Sequence, residues 1–172
     1  MKDNILHHNQ GAGSPAGEIP VGDSGVSGGK GRLTLRKWGR LHHHTLVDRL
    51  FSEGKNLYDP PLRLTWKAYG AEETESLFKH GVPEGIGPLQ MMVTVPKKKR
   101  RRAVDRVRMR RLIREAYRLN CRELLAQVSE RPDLRTVSLA FIYLDGHNAE
   151  WDEIEPKMRS LLKRLSKKLA SR

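Results

Sequence analysis

Between Lys97 and Arg118 the chain places three Lys and nine Arg against only Asp105 and Glu115. Twelve cations less two acids is +10, out of a net +13 for all 172 residues. Such a segment cannot enter a protein interior whole, because isolated charges are costly to desolvate. Yet Met109, Leu112, Ile113, Ala116 and Leu119 recur at helical spacing within it, so one side must pack. Arg110, Arg111, Arg114 and Arg118 fall nearly opposite that stripe, and Arg106 and Arg108 flank it at the first turn. The pattern predicts an amphipathic helix from Asp105 to about Gln127, with Asp105 as N-cap. The fold must supply an apolar surface to one side of this helix and leave the other side exposed.

The rest of the chain can do so. Residues 1–31 are rich in Gly, Ser and Pro with few bulky apolar groups, which predicts a disordered tail ahead of a domain spanning 32–172. Leu46, Val47, Leu50 and Phe51 predict a first helix, begun by Thr45 and ended by Gly54. Alternation in Leu62–Lys67 and the Met/Val-rich run Leu89–Val95 predict strands, with a turn at Tyr58–Pro61 and a loop across the glycines and prolines of 70–88. Thr136–Leu144 is the strongest strand pattern. A last helix begins near Asp152, where Asp152 and Glu155 have capping-box spacing, and buries Ile154, Met158, Leu161, Leu162, Leu165 and Leu169. The order implies an α+β fold, a small sheet with helices on one face.

Focused charge points to a polyanion. Arginine forks bond phosphate oxygens in pairs, and a helix N-terminus adds its own attraction for anions. A helix face of one sign kept only for solubility would repel itself. Pro96–Arg102 also looks like a nuclear import signal, but it runs straight into the amphipathic helix instead of a free tail. No run approaches the roughly 18 apolar residues of a membrane span. No apolar stretch near the N-terminus resembles a signal peptide. Cys121 is the single cysteine, so neither a disulfide partner nor a Cys-based zinc site is expected, and a reducing cytoplasmic setting fits.

Two further constellations allow other readings. His42–His44 could suggest a metal, but adjacent side chains diverge and no carboxylate stands at ligand spacing. Asp145, His147, Glu150, Asp152 and Glu153 could in principle form a nuclease centre; a turn followed by an acidic first helical turn explains them more simply. Trp38, Tyr143 and Trp151 read as core or boundary residues.

The stretch from Ala103 to Tyr117 resembles the signature of the bacterial ribonuclease P protein subunit, A-V-x-R-N-R-x-K-R-x-x-R-x-x-[FY]. Arg40-Leu41, Asp48–Lys55, Pro61–Leu64 and Val93–Lys98 resemble other parts of that family, over about residues 33–168. The resemblance implies an αβββαβα sandwich with a four-stranded sheet, a left-handed βαβ crossover at the basic helix, and a ribosomal-protein-like architecture. A short strand near Lys55–Tyr58 would complete its first three strands. It further implies a subunit that binds a catalytic RNA and the 5′ leader of precursor tRNA and assists maturation of the tRNA 5′ end. The RNA would supply the catalytic groups and bind most of the Mg²⁺, leaving no catalytic residue or metal ligand on the protein.

Lys97, Lys98, Arg106, Arg108, Arg110, Arg111 and Arg114 match the family's RNA-contacting positions. Arg40, Phe51, Arg63 and Trp66 match its leader-binding cleft between sheet and first helix. Two positions depart from the pattern. Val107 replaces the Asn between two arginines, and Val47 stands where the first helix usually carries an aromatic ring. A ribosomal or ribosome-assembly protein using the same basic helix on rRNA is the alternative to this reading.

Overall fold

The computed structural model describes residues 35, 37–78 and 81–171. The N-terminal tail, expected to be disordered, lies outside the described residues. A 3-10 turn at Lys37–Gly39 precedes α1 (His44–Glu53), β1 (Lys55–Asp59), β2 (Leu62–Tyr69), α2 (Ala71–Leu77) and β3 (Leu89–Thr94). Then follow α3 (Ala103–Asn120), α4 (Arg122–Ser129), β4 (Thr136–Tyr143) and α5 (Trp151–Ala170). The α+β class and the four-stranded sheet are as expected, with two additions to the αβββαβα order. A short helix, α2, occupies part of the 70–88 segment. The basic helix stops at Asn120, and α4 follows after Cys121. Asp105 lies inside α3, not at its start, because the helix begins at Ala103 with Arg102 as N-cap.

The sheet order is β1-β2-β4-β3. β1 and β2 form an antiparallel hairpin around Pro60-Pro61, and β2 pairs antiparallel with β4. β3 and β4 are parallel neighbours, so the chain between them must cross over a sheet face. α3 and α4 make that crossover.

Helices on one face only, as the sequence pattern suggested, is not what forms. All eight residues of β4 are buried, which requires cover on both sides. On one side Leu62, Leu64, Trp66, Met91, Val93, Leu139 and Phe141 pack with Met109 and Ile113 of α3 and with the Ile154–Leu169 stripe of α5. On the other, Leu46 and Leu50 of α1 pack with Tyr69 and Ala140, while Leu77 and Phe78 extend the cover from α2. Gly54 lets the end of α1 come down onto β2. A Cβ there would lie 2.1 Å from the Leu50 carbonyl oxygen and 2.8 Å from Thr65 Cγ2. Tyr69 Oη donates to the Leu46 carbonyl at 3.2 Å across the same seam.

Candidate nucleic-acid interface

α3 presents its arginines because its apolar stripe is anchored. Met109, Ile113, Ala116 and Tyr117 are buried, and Tyr117 packs beside Phe141 of β4. The stripe is rotated slightly from the sequence reading. Tyr117 takes the inner place, while Leu119 is 47% exposed. Arg108, Arg111 and Arg114 stand on the open face with Val104 and Val107, and Arg110 is half-buried. Immediately ahead, Pro96 starts a turn whose carbonyl accepts from the Lys99 and Arg100 amides at 3.0 and 3.1 Å. Lys97, Lys98, Lys99, Arg101 and Arg102 are exposed around that turn. The basic loop thus sits directly at the N-terminus of α3, where the helix dipole already favours anions.

Pairing is sparse. Arg108 reaches Glu150 at 2.6 Å on exposed surface, and the half-buried Arg118 reaches Glu115 at 2.5 Å. Among the described residues, Arg110, Arg111 and Arg114 make no ion pair. Burial lowers the Arg114 pKa from its ordinary value, and the neighbouring charges of Arg110 and Arg40 lower it further. Like charges held together without acids destabilise one another, and a polyanion would relieve that repulsion.

The four residues matched to a leader cleft do not converge. β2 alternates, so Arg63, Thr65, Lys67 and Tyr69 face α1, whereas Leu62, Leu64, Trp66 and Ala68 face α3 and α5. Phe51 sits near the end of α1 and is 47% exposed. Arg63 shares the sheet face that α1 covers. Trp66 does not: it is 4% exposed in the main core. Its place in the register of β2 aims the indole away from α1. Arg40 lies at the far edge of the sheet, in a bridge to Met91, and lines one cavity with Arg114. It therefore joins the basic helix, not Phe51. The α1 side gains Tyr58, which is 52% exposed and pairs across strands with Arg63. Sequence reasoning placed Tyr58 in a turn; its only signal was the β1 segment that the family resemblance implied.

The remaining candidates resolve into local structure. His147 bridges Asp145 and Glu153 at 3.1 Å each, and hydrogen bonds to Glu153 and Asp145 raise its pKa. His43 is held below its ordinary value by burial, then by His42, and packs edge-on against Phe78. Among the described residues, no group of three His, Cys, Asp or Glu side chains is arranged to hold a metal ion. Tyr143 is buried, and Trp38 and Trp151 lie at the core boundary, as expected.

The family model described as Ribonuclease P matches residues 35–166, which include every element from α1 to the greater part of α5. The chain belongs to the ribonuclease P protein family. The ribonuclease P protein component of Porphyromonas gingivalis strain W83 is 32% identical over 132 residues, covering 77% of this chain and 86% of that protein. That of Chlorobaculum tepidum is 36% identical over 124 residues, covering 69% and 74%. The solved structure of the Staphylococcus aureus RNase P protein shares the fold, with a TM-score of 0.51 at 14% identity, covering 74% of this chain and 94% of that one. For this member of the ribonuclease P protein family, Val107 stands 37% exposed on α3. No described helix is long and apolar enough to cross a membrane.

Proposed function

We propose that this chain is the protein subunit of a ribonuclease P ribonucleoprotein, which binds the catalytic RNA and the 5′ leader of precursor tRNA. One observation carries the reading: the exposed, sparsely paired arginine face of α3, continued by the lysine turn at its N-terminus, in a chain of this family. Lys97, Lys98, Arg108, Arg110, Arg111 and Arg114 meet RNA phosphates, joined by Lys99, Arg101 and Arg102 on the loop and by Arg40 at the sheet edge. Phe51, Tyr58 and Arg63 form the leader-facing side: the rings stack on bases regardless of sequence, and the guanidinium neutralises the strand.

The protein supplies binding, and the RNA supplies the catalytic groups. Mg²⁺ bound by that RNA would activate the attacking water. The α3 face offers mainly guanidinium groups and valine, and its exposed carboxylate, Glu115, is held by Arg118, whereas Mg²⁺ takes oxygen ligands. On this reading the RNA would hold the metal, and Val107 cannot orient a metal-bound water as an amide can.

Reconstitution tests the reading. Transcribed ribonuclease P RNA of Porphyromonas gingivalis and a precursor tRNA are combined at low Mg²⁺ with and without the purified chain. The chain should raise cleavage at the mature 5′ end and be inactive alone. Cleavage by the protein without RNA would overturn the reading. So would an absence of stimulation together with co-sedimentation of the chain with ribosomal particles, which would favour the rRNA-binding alternative.

A further inference from the structure

We propose that Arg100 and Arg106 are positioning residues that shape the basic loop from within, and that the cations around them, not these two, meet phosphate. The proposal deepens the RNA-binding reading above and rests on it. Six consecutive cations, Lys97–Arg102, repel one another, and a compact turn there needs an internal support. Arg100 provides it. Alone in the run it is buried, at 8% exposure. Its guanidinium donates to the Gly146 carbonyl and to Asn148 Oδ1, and lies 3.1 Å from Asp105 Oδ2. Asn148 Nδ2 in turn donates to Asp105 Oδ1 at 3.3 Å. One buried side chain thus ties the loop, the first turn of α3 and the β4–α5 connection together.

Arg106 works from the other direction. It lies one turn into α3, half-buried, and folds back over the loop. Its Nη1 donates to the carbonyls of Arg100 at 2.9 Å and Arg101 at 2.6 Å. Two carbonyl oxygens that would oppose an incoming phosphate are thereby engaged inward. Lys97, Lys98, Lys99, Arg101 and Arg102 are left pointing outward. The signature's first arginine therefore acts through the loop, while Arg108 and Arg111 act on the ligand.

The test separates shape from charge. Binding to transcribed Porphyromonas gingivalis ribonuclease P RNA is measured across a salt series for the full chain and four variants. Arg108→Gln and Arg111→Gln should each lower the salt slope by roughly 0.7–0.9, the amount expected for one lost phosphate contact. Arg106→Gln and Asn148→Ala should weaken binding by about three- to tenfold, in line with lost charge-assisted hydrogen bonds, without changing the slope. In the RNA-free protein, hydrogen exchange of the Lys99 and Arg100 amides should accelerate in Arg106→Gln and Asn148→Ala and stay unchanged in Arg111→Gln. A slope loss in Arg106→Gln equal to that of Arg111→Gln would overturn the proposal. So would unchanged loop exchange in Arg106→Gln and Asn148→Ala. If the unmodified chain fails to bind this RNA, the RNA reading fails instead, and the exchange measurement still decides whether these residues shape the loop.

Discussion

α3 and α5 lie against each other on the same side of the sheet, and each carries six Lys or Arg. Their outer faces are nevertheless built on opposite rules. α5 places Asp152 and Glu153 in its first turn and Lys167 and Lys168 in its last, as the helix dipole favours. Its Lys157 pairs with Asp59 at 3.0 Å, Arg159 with Glu155 at 2.6 Å, and Arg164 donates to the Tyr58 carbonyl at 2.8 Å. α3 instead stands behind six cations at its N-terminus, the end where the dipole disfavours them. Asp105, the one acid in its first turn, is engaged by Arg100. Equal numbers of cations therefore mean different things. In α5 they complete the fold; in α3 they are arranged at its expense, a cost that a polyanion outside the molecule would offset.

The largest expected effect breaks this contrast directly. Arg108→Ala combined with Arg111→Ala should weaken RNA binding by about a hundredfold or more, since a hydrogen bond to a charged group is worth about 1.5–3 kcal/mol. Giving up the exposed Glu150 partner costs Arg108 little by comparison, under about 1 kcal/mol. Lys163→Ala combined with Lys167→Ala removes as much charge from α5 and should change affinity only slightly. Equal losses from the two pairs, read by filter binding at fixed salt, would show that net charge alone drives association. Next come the inner faces, where the helices are alike. Ile113→Ala and Leu161→Ala should each cost about 2–5 kcal/mol of unfolding free energy in urea titrations. A much smaller loss at Ile113 would mean that α3 is not anchored by the shared core.

How much of this was legible depends on how local the signal is. The arginine face of α3 could be seen because a helix repeats its own geometry, and a one-sided charge pattern survives in the sequence. The buried stripe of α5 was legible for the same reason. Cover on the second sheet face was not, because the residues that make it, Leu46, Leu50, Tyr69 and Ala140, come from three separate elements. The leader side suffered most. A strand alternates every residue, so an uncertainty of one position decided whether Trp66 or its neighbours faced α1. Tyr58 was hidden by the adjacent prolines, which mark a turn but not the strand that enters it. Arg40 was grouped with Phe51 by its place in the family pattern, and only the bridge to Met91 put it beside Arg114.

The same misplacement yields a sharper test of the α1 side. Phe51→Ala should weaken binding of precursor tRNA with a leader by about 1–3 kcal/mol, the range for stacking on one base. Affinity for a substrate without a leader should not change. Tyr58→Ala should behave likewise. Trp66→Ala, by contrast, should lower stability through its cavity in the core and leave the ratio between the two substrates intact. If Trp66→Ala altered the ratio and Phe51→Ala did not, the leader would have to run elsewhere.

The smallest effect distinguishes the helices by their response to acid. Burial acts to raise the Asp59 pKa, but hydrogen bonds from Ser160 and Lys157, with the charges of Lys157 and Arg164, outweigh it and hold the group below its ordinary value of 3.8. A carboxylate whose pKa is lower in the folded than in the unfolded state contributes stability that is complete above the unfolded value. The contribution is lost as pH falls through the folded value. Because Lys157 remains open to solvent, it amounts to less than about 1 kcal/mol. Asp59→Asn should therefore lower the urea midpoint slightly at pH 6 and flatten its decline toward pH 3. Arg111→Ala removes a guanidinium that pairs with no carboxylate among the described residues, and should leave the slope of that decline unchanged. An acid limb that flattens equally in both variants would mean that the α5 pairs stabilise the fold no more than the unpaired arginines of α3 do.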